Sequence, residues 1–260
     1  MYTILTHDVD WPRRGPGRAH VLERHDRFDE EIIRKVLDED FNPYYGIPLI
    51  MEAEERLGIR STFFFRPTYD DGSAVDEYRD VIMDLVRGGW EIGLHSSCVE
   101  EAASERRILE SAAGVEVQGN RVHYLRISST DDLRKLEGAG FLYDSSMKST
   151  KDGMDVRDAG FHRIGDLVEF PITFMDAYLF AYSRLQEHEV IPYIVNGIKL
   201  FRDLNAGFVT LLWHDNSVMM RGGRVYPQLL DAILGIGGIE PVRMIDAYKS
   251  VEGRGSVGGG

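Results

Sequence analysis

The stretch Tyr2-Thr3-Ile4-Leu5-Thr6-His7-Asp8-Val9-Asp10 decides how this chain is read. Its apolar start reads as a buried strand, and two carboxylates close it. Side chains alternate faces along a strand, so Asp8 and Asp10 point one way while His7 and Val9 point the other. Two like charges at a strand tip repel unless a cation, a proton or an arginine stands between them. The pair therefore suits one metal-binding carboxylate beside one general base. An Asp-rich turn capping the next element is the alternative, so the decision rests on what the other strand ends carry.

Outward from this stretch, strand-like and helix-like segments alternate. Strands are expected at 60–66, 90–96, 121–127, 141–145, 168–174 and 208–214. Helices are expected at 48–57, 76–87, 100–113, 130–138 and 227–234, with a helix-rich stretch at 178–205. Gly58 and the Gly88-Gly89 pair stand where helix stops belong. Such alternation implies parallel strands with right-handed crossovers. Seven strands, and no glycine-rich phosphate loop after the first, favour a distorted, incomplete (β/α)7 barrel over an open doubly wound sheet. In a parallel barrel the active site lies where the carboxyl ends of the strands meet.

The polar residues collect at those ends. The third strand finishes Gly93-Leu94-His95-Ser96, with His95 on the face opposite Leu94. The fourth carries Arg121 and His123 on one face, and an arginine near a carboxylate orients it and keeps it ionised. The last strand is apolar from Phe208 to Trp213 and then ends abruptly in His214-Asp215-Asn216. Asp144, after Phe141-Leu142-Tyr143, ends the fifth in the same way and is expected to accept a hydrogen bond from His214, fixing its tautomer. Arg126, Asp176 and Trp213 are expected to contact substrate. His7 is expected to face away from the site, and His20, His25, His162 and His188 are read as structural or exposed.

Six motifs in order, HDVD, STFFF, EIGLHSS, RVHYLR, FLYDSS and LLWHDN, carry a resemblance to the polysaccharide deacetylase superfamily (NodB homology, carbohydrate esterase family four). The likeness spans residues 3–216 and is strongest to the branch with H-D-V-D and R-x-H-Y-L-R found among surface-polysaccharide biosynthesis proteins. It implies metal-dependent removal of an N-acetyl, less often an O-acetyl, group from a sugar. It puts the catalytic base on Asp8, a metal ligand on Asp10, the first metal histidine on His95 and the motif arginine on Arg121. The oxyanion amide falls on Tyr124 and the general acid on His214. The family's second metal histidine falls on Val99, which cannot bind a metal; His123 is the expected replacement, with Cys98 and Glu100 as weaker neighbours. One divalent cation is expected: zinc first, then cobalt, manganese or iron.

The whole composition narrows the partners. A formal charge of −13 argues against nucleic acid or an anionic membrane surface. One cysteine rules out an intrachain disulfide framework. No stretch approaches membrane-spanning length, and Met1 leads directly into a strand, so the expected location is the cytoplasm. The expected partner is a carbohydrate or an acetylated sugar precursor. A single barrel domain over 1–252 with a flexible Gly-rich tail at 253–260 is expected, and the polar segment 11–45, with one helix near 29–37, is expected to cover the site. Hydrolysis of another amide in a small metabolite, or a binding protein that has lost its metal, are the rival functions.

Overall fold

The computed structural model describes residues 1–39 and 41–255. Its strands are β1 (Tyr2–Val9), β2 (Thr62–Phe65), β3 (Glu91–Ser96), β4 (Gly119–Val122), β5 (Tyr143–Asp144), β6 (His162–Ile164), β7 (Leu167–Glu169), β8 (Phe174–Met175), β9 (Phe208–Leu212) and β10 (Glu240–Val242). The helices are α1 (Arg18–Glu23), α2 (Glu30–Asp38), α3 (Ile47–Leu57), α4 (Arg79–Gly88), α5 (Ala102–Ala113), α6 (Thr130–Gly138), α7 (Asp176–Ala181), α8 (Glu187–Asp203), α9 (Tyr226–Leu234) and α10 (Met244–Gly255). The sheet runs β6-β7-β5-β4-β3-β2-β1-β9-β8, with β10 added against the start of β1. All pairings are parallel except the β6–β7 hairpin. The sheet curls into an incomplete, distorted barrel, the expected fold class. No helix among the described residues is long and apolar enough to cross a membrane.

The alternation of β1 sorts the protein into two cores. Ile4 joins Phe64, Tyr143, Val168, Phe170 and Phe208 in a cluster filling the barrel's interior. Leu5 and Val9 join the larger cluster beneath the helices, with Ile47, Ile50 and Leu229. Asp8 therefore rises from the interior side at the carboxyl end of the barrel. His7 lies on the outer side, between the Trp213 carbonyl (2.7 Å) and Glu54 (3.0 Å). Glu54 also accepts from Ser61, Trp90 and Tyr226, so this buried carboxylate is fully hydrogen-bonded and needs no catalytic explanation.

Four local expectations change. The strand expected at 121–127 stops at Val122, because Tyr124 (φ 58°) and Leu125 (φ 53°) turn through the left-handed region. The strand expected at 168–174 breaks into β7 and β8 around Pro171, which has no N–H to give a ladder. Two short strands, β6 and β10, add to those expected, and Pro241 interrupts the strand pattern of the latter. Of the tail expected from Gly253, residues 253–255 belong to α10, and 256–260 lie outside the described residues.

Gly93 shows how the interior packing reaches the site. A Cβ there would come within 2.5 Å of the Phe64 ring, which itself lies 4.5 Å beneath the Arg121 guanidinium. Gly93→Ala is expected to cost about 1–3 kcal/mol, the usual scale for overpacking. Urea denaturation of the variant measures this; an unchanged midpoint would mean that Phe64 yields without cost.

Candidate active site

Asp8 and Arg121 form the floor of the site. Arg121 is fully buried and crosses the barrel from β4, placing Nη1 2.8 Å from Asp8 Oδ1 and 3.0 Å from Thr6 Oγ1. Its Nε donates to the Ser145 carbonyl (2.7 Å) and its Nη2 to Ser145 Oγ (2.8 Å), so the guanidinium is held from β5 as well. Burial alone would raise the Asp8 pKa. The Arg121 charge, then those of His95 and His214, outweighs burial and holds this carboxyl below its ordinary value. Asp8 is therefore held ionised.

Above it stand Asp10, His95 and His123, whose ligand atoms all lie within 4.8 Å of one another. His95 Nδ1 is 2.9 Å from the Arg121 carbonyl, to which it donates. That bond leaves Nε2 free to face Asp10 Oδ1 (3.1 Å) and Asp8 Oδ2 (3.6 Å). His123 Nε2 approaches Asp10 Oδ1 to 3.6 Å. The chain bends immediately after His123, at the left-handed Tyr124, whose ring packs 3.8 Å from the imidazole.

These residues fit a divalent cation. Asp10 Oδ1 is buried with no donor in good hydrogen-bonding geometry, its neighbours being the ring nitrogens of His95 and His123, a costly state for a carboxylate oxygen that a cation would relieve. The His123 pKa, lowered to about 4 by burial and then by the His95 charge, leaves a neutral imidazole, the form that ligates. The His95 pKa moves the other way: burial opposes its charge, but Asp8 and Asp10 prevail, a sign that the paired carboxylates demand positive charge. Val99 lies in the outer core at 7% exposure, and Glu100 pairs with Lys135.

His214 completes the site from the end of β9. Its partner is Asp176, the first residue of α7, rather than Asp144. Asp176 Oδ2 accepts from the His214 backbone N–H (2.9 Å) and Oδ1 from Nδ1 (2.6 Å), leaving His214 Nε2 3.7 Å from Asp10 Oδ2. Burial disfavours the imidazolium, yet Asp176 raises the His214 pKa to about 10. Asp144 instead accepts from Asn120 (2.8 Å) and sits beside Glu169 on the neighbouring strand. Burial and then the Asp144 charge push the Glu169 pKa well up, so this pair belongs to the barrel wall.

Other expectations also move. Asp176, expected on substrate, is buried against His214. Trp213 is wholly buried on the outer side, its indole N–H bonded to the Gly223 carbonyl, and cannot meet substrate. Arg126 is exposed and stacks 5.0 Å over the Tyr124 ring. Tyr124 itself is 66% exposed at the cleft. His20, expected to be structural or exposed, packs edge-on to Trp11 and lines the cleft.

The cleft has a volume of about 1060 Å³ and takes in Asp8, Asp10, His95, His123 and His214. Residues of the 11–45 segment, among them Trp11, Arg24 and Tyr44, form one side of it.

No protein-family model matches this chain, and no curated protein does. Solved structures do. One is a Mycobacterium smegmatis protein assigned provisionally as a polysaccharide deacetylase: 17% identity, TM-score 0.68, 97% of this chain and 90% of that chain covered. Another is a probable polysaccharide deacetylase of Pseudomonas aeruginosa, at 12% identity and TM-score 0.66, covering 95% and 89%. A third is a carbohydrate esterase family four pseudoenzyme of Bacillus anthracis, at 12% identity and TM-score 0.56, covering 95% and 65%. At these identities the likeness is one of fold, and the fold hosts both deacetylases and an inactive relative.

The Asp176 pairing has a direct readout. His214 should remain protonated to about pH 10. Asp176→Asn removes the charge that raises its pKa, so deprotonation should shift to lower pH. Histidine NMR titration measures this, and an unmoved titration would show that the Asp10 and Asp8 charges suffice.

Proposed function

We propose that this protein is a metal-dependent deacetylase that hydrolyses an N-acetyl group on a sugar. The observation that carries this reading is the meeting, in one cleft, of an Arg-held carboxylate, an Asp-His-His cluster and an Asp-held histidine. A divalent cation on Asp10, His95 and His123, zinc being the best match to one carboxylate and two imidazoles, would supply Lewis acidity toward the acyl oxygen.

The chain's own residues account for the proton movements. Asp8, ionised and aimed by Arg121, takes the proton from the attacking water. The Tyr124 backbone amide, presented at the turn after β4, donates to the oxyanion that develops on the acyl carbon. His214, charged and oriented by Asp176, gives its proton to the leaving amine. The HDVD and RVHYLR spellings support a surface-polysaccharide precursor as substrate.

Two measurements test the proposal. Elemental analysis of protein purified without a chelating tag should find a divalent metal, and His123→Ala should weaken its binding. The loss should at least match the roughly 10–100-fold typical of removing a supporting group. Unchanged stoichiometry and affinity would reassign His123 to substrate. For catalysis, acetate release from N-acetylated sugars should vanish in Asp8→Asn and fall roughly 100-fold or more in His214→Ala. Metal-loaded protein that binds such sugars yet releases no acetate would mark a non-catalytic binding protein.

A further inference from the structure

The cleft that holds the site has a second wall whose charge runs against that of the molecule. The chain is strongly acidic, at −13, yet Arg24, Arg27, Arg221 and Lys151 all line this one cavity. Apart from Asp8 and Asp10 at its floor, Asp26 is the one carboxylate among its lining residues.

Two of these cations are tied together by the backbone. The Arg221 N–H donates to the Arg27 carbonyl at 2.7 Å, so the main chains of the segment after α1 and the segment after β9 run side by side, and both residues line the same cavity. Their internal pairing is weak. Arg27 and Lys151 are exposed and make no ion pair among the described residues. Arg221, with a side chain 55% exposed, reaches Asp29 only at 3.4 Å, and Asp29 is also engaged by Arg224. Arg24 has Glu23, itself 73% exposed, at 3.2 Å. Guanidinium groups that share one cavity and leave donors unused match a planar or tetrahedral oxyanion. A local positive wall on an acidic protein also draws an anionic ligand to one place and keeps it from others.

We infer that the acetylated sugar taken by this cleft carries an oxyanion of its own, a phosphate or a carboxylate, held by Arg27 and Arg221 with Arg24 and Lys151 beside them. The inference rests on the proposed placing of a sugar in the cleft and adds its charge class. The amide end meets Asp8, His95 and His214, while the charged end lies against the 11–45 segment and the turn that follows His214.

Calorimetric titration of the full chain carrying Asp8→Asn tests it with four probes. These are N-acetylglucosamine oligomers as the neutral reference, N-acetylglucosamine 1-phosphate, its nucleoside-diphosphate ester, and an N-acetylated aminouronic acid. An anionic probe should bind at least about tenfold more tightly than the neutral one, a modest return for two charge-assisted contacts. That preference should shrink as ionic strength rises from about 0.05 to about 0.5 M. It should disappear when Arg27→Ala and Arg221→Ala are added, with the thermal melt confirming that the variant is folded. The tighter of the phosphate and uronate arms identifies the source of the anion.

Equal binding of neutral and anionic probes, insensitive to salt, overturns the inference even if the wild type releases acetate from neutral oligomers. Salt-sensitive binding of an anionic probe, with no acetate released by the metal-loaded wild type, upholds the inference and overturns the deacetylase reading.

Discussion

The ion pair between Arg121 and Asp8 is the interaction on which the rest of this structure depends. Both side chains are essentially inaccessible, at 0% and 2% exposure. Removing two charges from water is costly, and their attraction repays it only with good geometry and with the remaining donors satisfied. Here they are satisfied: the guanidinium reaches Thr6, Asp8 and Ser145 and rests on the face of Phe64. One side chain thus links β1, β2, β4 and the end of β5. The barrel interior below is apolar and the cleft above is polar, and Arg121 lies at the boundary.

That boundary sets the protonation of everything above it. Asp8 and Asp10 are both held below the usual carboxylate range, so two negative charges face the imidazoles of His95, His123 and His214. The imidazoles do not respond alike. His214, locked to its own buried aspartate, is held cationic, whereas His123 is driven neutral. His95 is restrained by a main-chain carbonyl and turns its other nitrogen to the carboxylates. Residues of one type are thereby given different protonation states by their partners.

The sequence made much of this legible, because the informative residues are strand ends and period-two alternation needs no tertiary knowledge. Asp8, Asp10, His95 and His214 stand at the ends of strands with apolar runs, Arg121 shares a face with His123, and all of these reach the cleft or its floor. What the sequence hid follows from partners distant in the chain. Asp144 ends one short strand and Asp176 directly follows another, so pattern alone gives either one to His214; the choice is made by β8 lying beside β9, while β5 lies between β4 and β7. Trp213 is one residue from His214, and the alternation that exposes one to the cleft buries the other. The bend at Tyr124 left no signal, since neither Tyr124 nor Leu125 is a residue that prefers positive φ. His123 reaches the cluster all the same, for it precedes that bend.

The segment between Trp11 and Tyr45 carries its own small apolar core of Val21, Phe28, Val36 and Tyr44, distinct from the two barrel cores. Its inward residues are supported by one another, with Trp11, Ile32, Ile33 and Phe41 packed around them. Sequence change on its cleft-facing surface is thereby insulated from the strands that hold Asp8 and His95. One stretch of chain can therefore be rewritten to alter what the cleft admits, while the strands that place Asp8, Asp10 and His95 keep their geometry.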